Sequence, residues 1–307
     1  KYYEFKMIPQ IDAQALSSRN PTELGKVREA VEKIGFFTLV NTAISPDEVK
    51  KTFSTYKEFF KSAEEVKHSV NMALTGSNRG WGASRSEQVD PKSNPDYKEV
   101  FDCGVEVPED DPQAHLSVYA PNHWPQNLEN FQKQTEEYFS KARRVAFDLL
   151  QGISEAVGAD PHFFADKFDK PMALLRCNYY PERPINATER DFGIAPHTDY
   201  GCLTLLATDG QPGLEVEVRD GSWEAVTAEP GTFIINFGEM LEMWTDGKII
   251  ATNHRVIGTD QERLSIPLFF NPNYDTNVAP EGQEPISAGE YLSKRYNETY
   301  VHLQKAS

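Results

Sequence analysis

Two histidines and one aspartate in the second half of the chain have the types and spacing of a metal-binding set. His197 and Asp199 stand two residues apart in "APHTDYGCLTLL", and His254 stands in "IATNHRVIG". If the first stretch is a β-strand, residues i and i+2 project from one face, so His197 and Asp199 point the same way. Two imidazoles and one carboxylate form the facial triad that holds Fe(II) and leaves coordination positions open, although Zn²⁺ accepts the same ligands.

A second set of residues has the chemistry to bind a carboxylate. Arg263 and Ser265 are again two residues apart, in "RLSIPLFF", and an interior arginine beside a serine needs an anionic partner. The stretch "RCNYYP" places Arg176, Asn178 and Tyr180 on one face of another predicted strand. A carboxylate-binding pair favours iron over zinc, because an oxygenase with this ligand set needs a keto acid as its source of electrons.

The elements that must position these residues change in character along the chain. Residues 1–170 are predicted to be mainly helical, with one long helix from about Gln126 to Val157. Residues 171–275 consist of short β-rich runs separated by Gly, Pro, Asn and Asp. This pattern predicts an antiparallel sandwich or barrel that contains most of the β-core and the metal site. A last helix is predicted over residues 285–307, where we expect it to cover the mouth of the site.

The composition excludes several classes of partner. The chain has 31 basic and 47 acidic residues, a formal net charge of −16, and such a surface repels phosphate backbones and anionic membranes. No apolar stretch approaches the roughly 18 residues that cross a bilayer, and the first residues lack the apolar core of a signal peptide. The three cysteines are far apart and are expected to be free and buried. We therefore expect a cytoplasmic protein that binds neither nucleic acid nor membrane.

The order of these motifs resembles the isopenicillin N synthase-like branch of the Fe(II)- and 2-oxoglutarate-dependent oxygenases. The stretches "MIPQIDAQAL", "GFFTLVNTAISPDEV" and "YKEVFDCG" are similar to early family motifs, and "NYYP", "HTDYGCLTLL", "NHRV" and "RLSIPLFFNP" to later ones. The resemblance covers nearly the whole chain and implies a single oxygenase domain over residues 1–307. The implied fold mixes α and β: a double-stranded β-helix, or jelly roll, forms the core and is flanked by N-terminal helices. We expect a monomer that acts on a small molecule.

The resemblance also implies roles for the residues that match the family motifs. His197, Asp199 and His254 match the iron ligands. Arg263 and Ser265 match the pair that binds the distal carboxylate of 2-oxoglutarate. The expected cofactor is Fe(II), with 2-oxoglutarate and O₂ as cosubstrates. Decarboxylation of 2-oxoglutarate to succinate and CO₂ would then drive hydroxylation, desaturation or ring closure at an unactivated C–H bond.

Further residues are expected around the cosubstrate and the substrate. Asn178 and Tyr180 match polar residues near 2-oxoglutarate, and Phe269 matches a position that commonly lines the substrate site. Arg176 shares a face with Asn178 and Tyr180, so we expect it to face the same cavity. Its anionic partner would be a carboxylate of the substrate, which predicts an acidic, amino-acid-derived metabolite. The alternative is that Arg176 pairs with a core acid such as Glu99 or Asp102.

Less specific signals leave the substrate and part of the chemistry open. Arg79, Trp81 and Arg85 lie in "SNRGWGASRSEQ", a region that often contacts substrate in the family, and are candidates for the pocket wall. A cosubstrate-free oxidase of the isopenicillin N synthase type is one alternative, because that enzyme also has an Arg-x-Ser pair. A non-catalytic binder on the same fold is another, although it would not need both an iron triad and a carboxylate cradle.

Overall fold

Two β-sheets that face each other form the centre of the molecule. The computed structural model describes residues 8–82, 98–182, 193–258 and 260–295. The strands within these ranges are β1 (Gln10–Asp12), β2 (Phe36–Val40), β3 (Gly80–Gly82), β4 (Glu99–Gly104), β5 (Leu174–Tyr180), β6 (Ile194–His197), β7 (Leu203–Thr208), β8 (Leu214–Glu217), β9 (Trp223–Ala225), β10 (Phe233–Phe237), β11 (His254–Val256) and β12 (Arg263–Phe270). The large sheet has the order β1-β2-β10-β7-β12-β5-β4-β3, and the small sheet has the order β6-β11-β8-β9. Apart from the parallel pair β1–β2, neighbouring strands are antiparallel, and the predicted jelly-roll core is confirmed.

Most helices precede β5 in the chain. Those in the described ranges are α1 (Ala13–Ser17), α2 (Pro21–Lys33), α3 (Pro46–Phe60), α4 (Glu64–His68), α5 (Met72–Thr75), α6 (Phe131–Ala156), α7 (Glu239–Trp244) and α8 (288–295). Helix α6 begins later than the sequence predicts, because Asn130 has a left-handed φ of 66° that a helix interior does not admit. The predicted C-terminal helix is present as α8, and residues 296–307 lie outside the described ranges. None of these helices is both long and apolar enough to span a bilayer.

Both parts of the chain contribute to the large sheet. The first 170 residues, for which mainly helices are expected, contain α1 to α6 but also β1 to β4, which form both edges of that sheet. Strands β5 to β12 lie between residues 174 and 270. The two parts are joined by strand pairing, at β2–β10 and at β4–β5.

The outer face of the large sheet packs against the helices and forms the larger of two apolar cores. Strands β5, β7 and β12 contribute Leu175, Leu205 and Leu268, which are fully buried. Helix α6 lies against β7 and β12 and buries a stripe of side chains that includes Tyr138 and Leu149. Because this core is closely packed, the strands cannot shift freely, and side chains on the opposite, inner face keep defined positions.

The inner face of the large sheet is mainly apolar at one end. There, Phe36 and Ile234 meet Val216 and Val256 of the small sheet in a second, smaller core. Elsewhere the inner face carries polar side chains, which are, from β10 to β5, Asn236, Thr204, Ser265, Asn178 and Arg176. Buried polar groups require partners, so this polar end of the space between the sheets is where a site is expected.

The small sheet is anchored to the helices beside His254. Helix α2 ends before Gly35, whose left-handed φ of 76° favours glycine. A side chain at Gly35 would collide with the Thr252 hydroxyl, which donates a hydrogen bond to the Ile34 carbonyl at 2.6 Å. The Thr252 carbonyl in turn accepts a hydrogen bond from His254 Nδ1 at 3.0 Å. The end of α2 therefore helps to set the orientation of His254.

This contact predicts that Gly35→Ala destabilises the protein more than an alanine in the same backbone conformation elsewhere. Gly158, which follows α6, has the same φ of 76° and no atom within 4 Å of an added Cβ, so Gly158→Ala is the matched control. Both substitutions place a side chain in left-handed backbone, at a cost of about 1–2 kcal/mol. Gly35→Ala should lower the free energy of unfolding by a further 1–3 kcal/mol or so, because Thr252 must move. Urea denaturation of the two variants measures the difference, and equal losses would contradict the account.

Candidate active site

The structure brings His197, Asp199 and His254 together at one end of the small sheet. His197 is the last residue of β6 and His254 is the first of β11, and the two are direct partners in the antiparallel pairing. Their ring centroids are 4.3 Å apart. Asp199 Oδ1 lies 3.7 Å from His197 Nε2 and 3.4 Å from His254 Nε2, and the three sets of ligand atoms lie within 4.8 Å of one another. A cluster of this size can hold one metal ion.

Backbone carbonyls determine which imidazole nitrogen faces the cluster. His197 Nδ1 donates to the Ala195 carbonyl at 2.9 Å, and His254 Nδ1 donates to the Thr252 carbonyl at 3.0 Å. Since a carbonyl only accepts, each Nδ1 carries a hydrogen, and each Nε2 is turned towards Asp199. Burial lowers the pKa of His197, so its imidazole is neutral at pH 7 and its Nε2 lone pair is available to a metal.

The Asp199 carboxylate is held by one oxygen and offers the other. Its Oδ2 accepts a hydrogen bond from Thr204 Oγ1 at 2.6 Å and from Asn236 Nδ2 at 2.8 Å. Burial raises the pKa of Asp199, but the nearby His254 and the hydrogen bonds from Thr204 and Asn236 outweigh it and hold the pKa well below its usual range. The carboxyl group is therefore ionised, and its Oδ1 faces the two histidines. This donor set of two imidazole nitrogens and one carboxylate oxygen fits Fe(II).

A pocket suited to a carboxylate lies across β5 and β12. Arg263 pairs with Tyr180 and Ser265 pairs with Asn178 in the strand register, so the four side chains share the inner face. The Arg263 guanidinium lies 4.9 Å from the centroid of the Tyr180 ring, and Asn178 Nδ2 donates to Ser265 Oγ at 3.3 Å. Within the described ranges, Arg263 has no hydrogen-bond or ion-pair partner, and the buried Tyr180 hydroxyl has none either. A cation and two hydroxyl groups around one space fit a carboxylate.

Two neighbouring residues shape this pocket and connect it with the group of His197, Asp199 and His254, here called the metal cluster. Gly213 leaves space for the arginine, since an added Cβ would collide with Arg263 Nη1. Phe269 of β12 is paired with Thr204 of β7 in the register, and Thr204 is the residue that donates to Asp199. The half-buried Phe269 side chain therefore stands on the inner face beside the metal cluster, where a substrate could reach it.

Arg176 has a partner inside the protein, which corrects the expectation that substrate alone would supply its anion. It lies on the inner face opposite Asp102 of β4. Arg176 Nε and Nη2 donate to the two carboxylate oxygens of Asp102, each at 2.9 Å. The alternative partner predicted from the sequence is therefore present, and the premise of the acidic-substrate prediction is wrong. The register between β4 and β5 decides that Arg176 meets Asp102, and a single sequence does not reveal this register.

The other candidates for the pocket wall lie elsewhere or outside the described ranges. Trp81 pairs with Phe101 in the register of β3 and β4, and both side chains are buried in the outer core. Arg79 is also buried, and its Nη2 donates to the Val118 carbonyl at 2.8 Å. These two positions stabilise the packing of β3 and the loop around residue 118, which corrects their expected place in the pocket. Arg85 lies outside the described residues.

Sequence reasoning missed the residues that orient the metal ligands. Thr204 and Asn236 hold Asp199, and the Thr252 carbonyl holds His254. A signal for Asn236 is present, because an amide in the otherwise apolar strand "TFIINF" needs a buried partner. No comparable signal identifies Thr252, whose contribution is a backbone carbonyl.

Comparisons with known protein families agree with this geometry. The family model described as "non-haem dioxygenase in morphine synthesis N-terminal" matches residues 8–127. The family model of the 2OG-Fe(II) oxygenase superfamily matches residues 171–272, a range that contains the triad and the carboxylate pocket. Together the two models account for both the helical part and the β-core.

Individual relatives match over nearly the full chain. The 2-oxoglutarate-dependent dioxygenase tropC of Talaromyces stipitatus is 33% identical over 317 residues, with 96% of each chain covered. A homoarginine-6-hydroxylase of Arabidopsis thaliana is 31% identical over 294 residues, and the match covers 90% of this chain and 88% of the relative. The crystal structure of a full-length Neurospora crassa protein in complex with alpha-KG has a TM-score of 0.82 at 28% identity, covering 97% of this chain and 98% of that chain.

The pairing of Arg176 predicts a loss of stability when either partner alone is removed. Asp102 is 3% exposed, so Arg176→Met leaves a buried carboxylate without its cation and should cost about 3–5 kcal/mol in free energy of unfolding. The double variant Asp102→Leu/Arg176→Met should lose less than Arg176→Met alone. Chemical denaturation of these variants measures the effect.

A surface pair supplies the control for this prediction. Arg28 forms an ion pair with Glu32, and the Arg28 side chain is 58% exposed. Arg28→Met should therefore lower the free energy of unfolding by less than about 1 kcal/mol. The account is contradicted if Arg176→Met is as mild as Arg28→Met and instead weakens only the binding of a substrate.

Proposed function

Since this chain belongs to the Fe(II)- and 2-oxoglutarate-dependent oxygenases, we propose that His197, Asp199 and His254 bind its iron. Members of this family are dioxygenases that use Fe(II), 2-oxoglutarate and O₂, and the protein is an enzyme of this kind. We assign the distal carboxylate of 2-oxoglutarate to Arg263 and Ser265, with the hydroxyl of Tyr180 as a further donor. Asn178 orients Ser265 through its amide.

The observation that carries this assignment is that Arg263, on the inner face of β12, has no hydrogen-bond or ion-pair partner among the described residues. A guanidinium in a partly enclosed site normally has an anionic partner, and Arg263 has none among the described residues. The orphaned hydroxyl of Tyr180 lies on the same face. Both groups are explained at once by a dicarboxylate that enters as cosubstrate. In a cosubstrate-free oxidase the same groups would bind a carboxylate of the substrate instead, and we favour 2-oxoglutarate because similar proteins are 2-oxoglutarate-dependent.

The residues of the site prepare the reaction by position and by exclusion of water. When bound, Fe(II) would activate O₂ with electrons supplied by 2-oxoglutarate, which would be decarboxylated to succinate and CO₂. His197, Asp199 and His254 would hold the metal through three ligands and leave coordination positions for other ligands. Arg263 fixes the far end of the keto acid, so its keto group can face the cluster. The proposed outcome is oxidation of an unactivated C–H bond of a small organic molecule.

The charge balance of the inner face bears on the class of substrate. Arg176 is already neutralised by Asp102, so a substrate carboxylate would meet a neutral pair instead of a bare cation. We therefore propose a substrate that is neutral or zwitterionic where it meets this pair. Phe269 offers an apolar surface close to the metal cluster.

The wider cellular setting is proposed from composition and burial. The net charge of −16 argues against a nucleic-acid partner. The three cysteines are free and buried, as expected in a reducing compartment, so we propose a cytoplasmic location. We further propose a single oxygenase domain, since β-strands from both parts of the chain pair in one sheet, and we propose that this domain acts as a monomer.

The test is the succinate that forms from 2-oxoglutarate in the presence of Fe(II) and O₂, first without any substrate. The wild type should form succinate slowly, and His197→Ala, Asp199→Ala and His254→Ala should each abolish its formation. Arg263→Gln should raise the apparent KM for 2-oxoglutarate by roughly 10- to 150-fold, since a charge-assisted hydrogen bond contributes about 1.5–3 kcal/mol.

An exposed arginine supplies the control for the cosubstrate assignment. Arg219 lies in the turn between β8 and β9, and Arg219→Gln should leave the KM for 2-oxoglutarate unchanged. If Arg263→Gln behaves like Arg219→Gln, Arg263 does not bind the cosubstrate. If the wild type consumes O₂ with a substrate but never requires 2-oxoglutarate, the oxidase alternative is correct.

A further inference from the structure

Asp199 lies in a short segment that crosses from the small sheet to the large sheet. Residues 198–202 belong to no strand, so no ladder of hydrogen bonds holds this crossing. Its carbonyl groups are bound instead by the first turn of α7. The N–H groups of Gly238, Glu239 and Met240 donate to the carbonyls of Cys202 at 3.0 Å, Asp199 at 2.8 Å and Tyr200 at 3.1 Å. The first N–H groups of a helix have no partner within the helix, so they are free to hold the crossing segment.

The Glu239 side chain adds a second link to the same segment. Its Oε1 accepts a hydrogen bond from Thr198 Oγ1 at 2.6 Å, a length typical of a hydroxyl bound to an ionised carboxylate. Thr198 stands between His197 and Asp199 in the sequence. The backbone N–H of Glu239 therefore binds Asp199, and its carboxylate binds the residue before it.

The remaining oxygen of Glu239 reaches the C-terminal helix. Arg295 Nη2 of α8 lies 2.6 Å from Glu239 Oε2, and both side chains are about one-third exposed, at 32% and 31%. The Arg295 guanidinium also lies 4.7 Å from the centroid of the Tyr200 ring. Contacts from α8 thus reach both sides of Asp199: Tyr200 directly, and Thr198 through Glu239.

We propose that Glu239 is a positioning residue that holds the Thr198–Asp199 turn for metal binding, and that Arg295 extends this hold to the C-terminal helix. The proposal rests on the proposed function, in which the triad binds a metal. Thr198 and Glu239 touch no metal themselves. Their effect is to restrict the backbone of Asp199, so that its Oδ1 keeps the direction that the two histidines require. Docking of α8 would then raise the affinity of the triad for its metal.

Whether removal of Arg295 weakens or strengthens metal binding distinguishes a positioning role from a simple electrostatic effect. A positive charge near a cation site repels the cation, so removal of Arg295 for its charge alone would strengthen metal binding. If Arg295 acts through Glu239, its removal must weaken metal binding instead. Thr198→Val tests the positioning role more directly than removal of Arg295, because it changes no charge and keeps the shape of the side chain.

The experiment is a calorimetric titration of the metal-free protein, residues 1–307, with Co(II), an oxygen-stable substitute for Fe(II). Thr198→Val should weaken Co(II) binding about 10-fold or more, as loss of a group that orients a metal ligand usually does. Arg295→Met should weaken it roughly two- to fivefold, in keeping with a partly exposed ion pair. Lys294→Met removes the same charge from the neighbouring, exposed position of α8 and should leave the affinity unchanged or slightly raised.

A conservative variant and a double variant test the positioning role even if a single variant folds poorly. Thr198→Ser, which retains the hydroxyl, should bind Co(II) like the wild type even if the valine variant folds poorly. In a Glu239→Gln background, Arg295→Met should weaken Co(II) binding less than it does in the wild type, because the ion pair through Glu239 is already removed. Melting temperatures of the metal-free variants report any general loss of structure.

The outcomes distinguish this proposal from the proposed function. If the wild type binds Co(II) no better than His254→Ala, the triad is not the metal site and the proposed function fails. If the wild type binds Co(II) and Thr198→Val binds it equally well, only the positioning role of Glu239 is overturned. A tighter affinity in Arg295→Met would show that this residue acts by charge alone and would overturn the link to the C-terminal helix.

Discussion

The Asp199 carboxylate joins the two sheets, and the geometry of the site depends on this junction. Its Oδ2 is bound by Thr204 and Asn236 on β7 and β10 of the large sheet. Its Oδ1 faces His197 and His254 on β6 and β11 of the small sheet. Three ligand atoms can meet only if the two sheets keep their relative position. A carboxylate that is bound to the large sheet through one oxygen and faces the small sheet with the other therefore constrains the whole jelly roll as well as the metal site.

The large sheet can keep its position because its two faces differ: the outer face packs against the helices, and the inner face carries the residues of the site. The outer face is apolar and fixed by helices, with α6 as the largest contributor. The inner face can then carry polar residues whose partners are other site residues, or ligands, instead of water. Along β12, Arg263, Ser265 and Phe269 all lie on this inner face, an even number of residues apart. One strand thus offers a carboxylate-binding end and an apolar end next to the metal cluster.

The alternation of side chains along each strand predicted much of the site. The contacts between neighbouring strands could not be predicted, because they depend on the strand register. The alternation of strand side chains placed Arg263 with Ser265, and Asn178 with Tyr180, and the structure confirms that they share a face. Alternation also placed Arg176 on that face, but the cross-strand position of Asp102 decided what Arg176 binds. That position depends on how β4 and β5 align, which a single sequence does not specify. Trp81 illustrates the same limit, since the register of β3 turns it towards the helices.

The most direct measurement is a crystal structure of the protein with Mn(II) and 2-oxoglutarate, prepared without oxygen. The account predicts one Mn(II) bound by His197 Nε2, Asp199 Oδ1 and His254 Nε2, with Thr204 and Asn236 still on Asp199 Oδ2. The distal carboxylate of 2-oxoglutarate should lie against the Arg263 guanidinium, within hydrogen-bond reach of Ser265 and the Tyr180 hydroxyl. A metal held by other residues, or a keto acid whose distal carboxylate lies away from Arg263, would contradict the account.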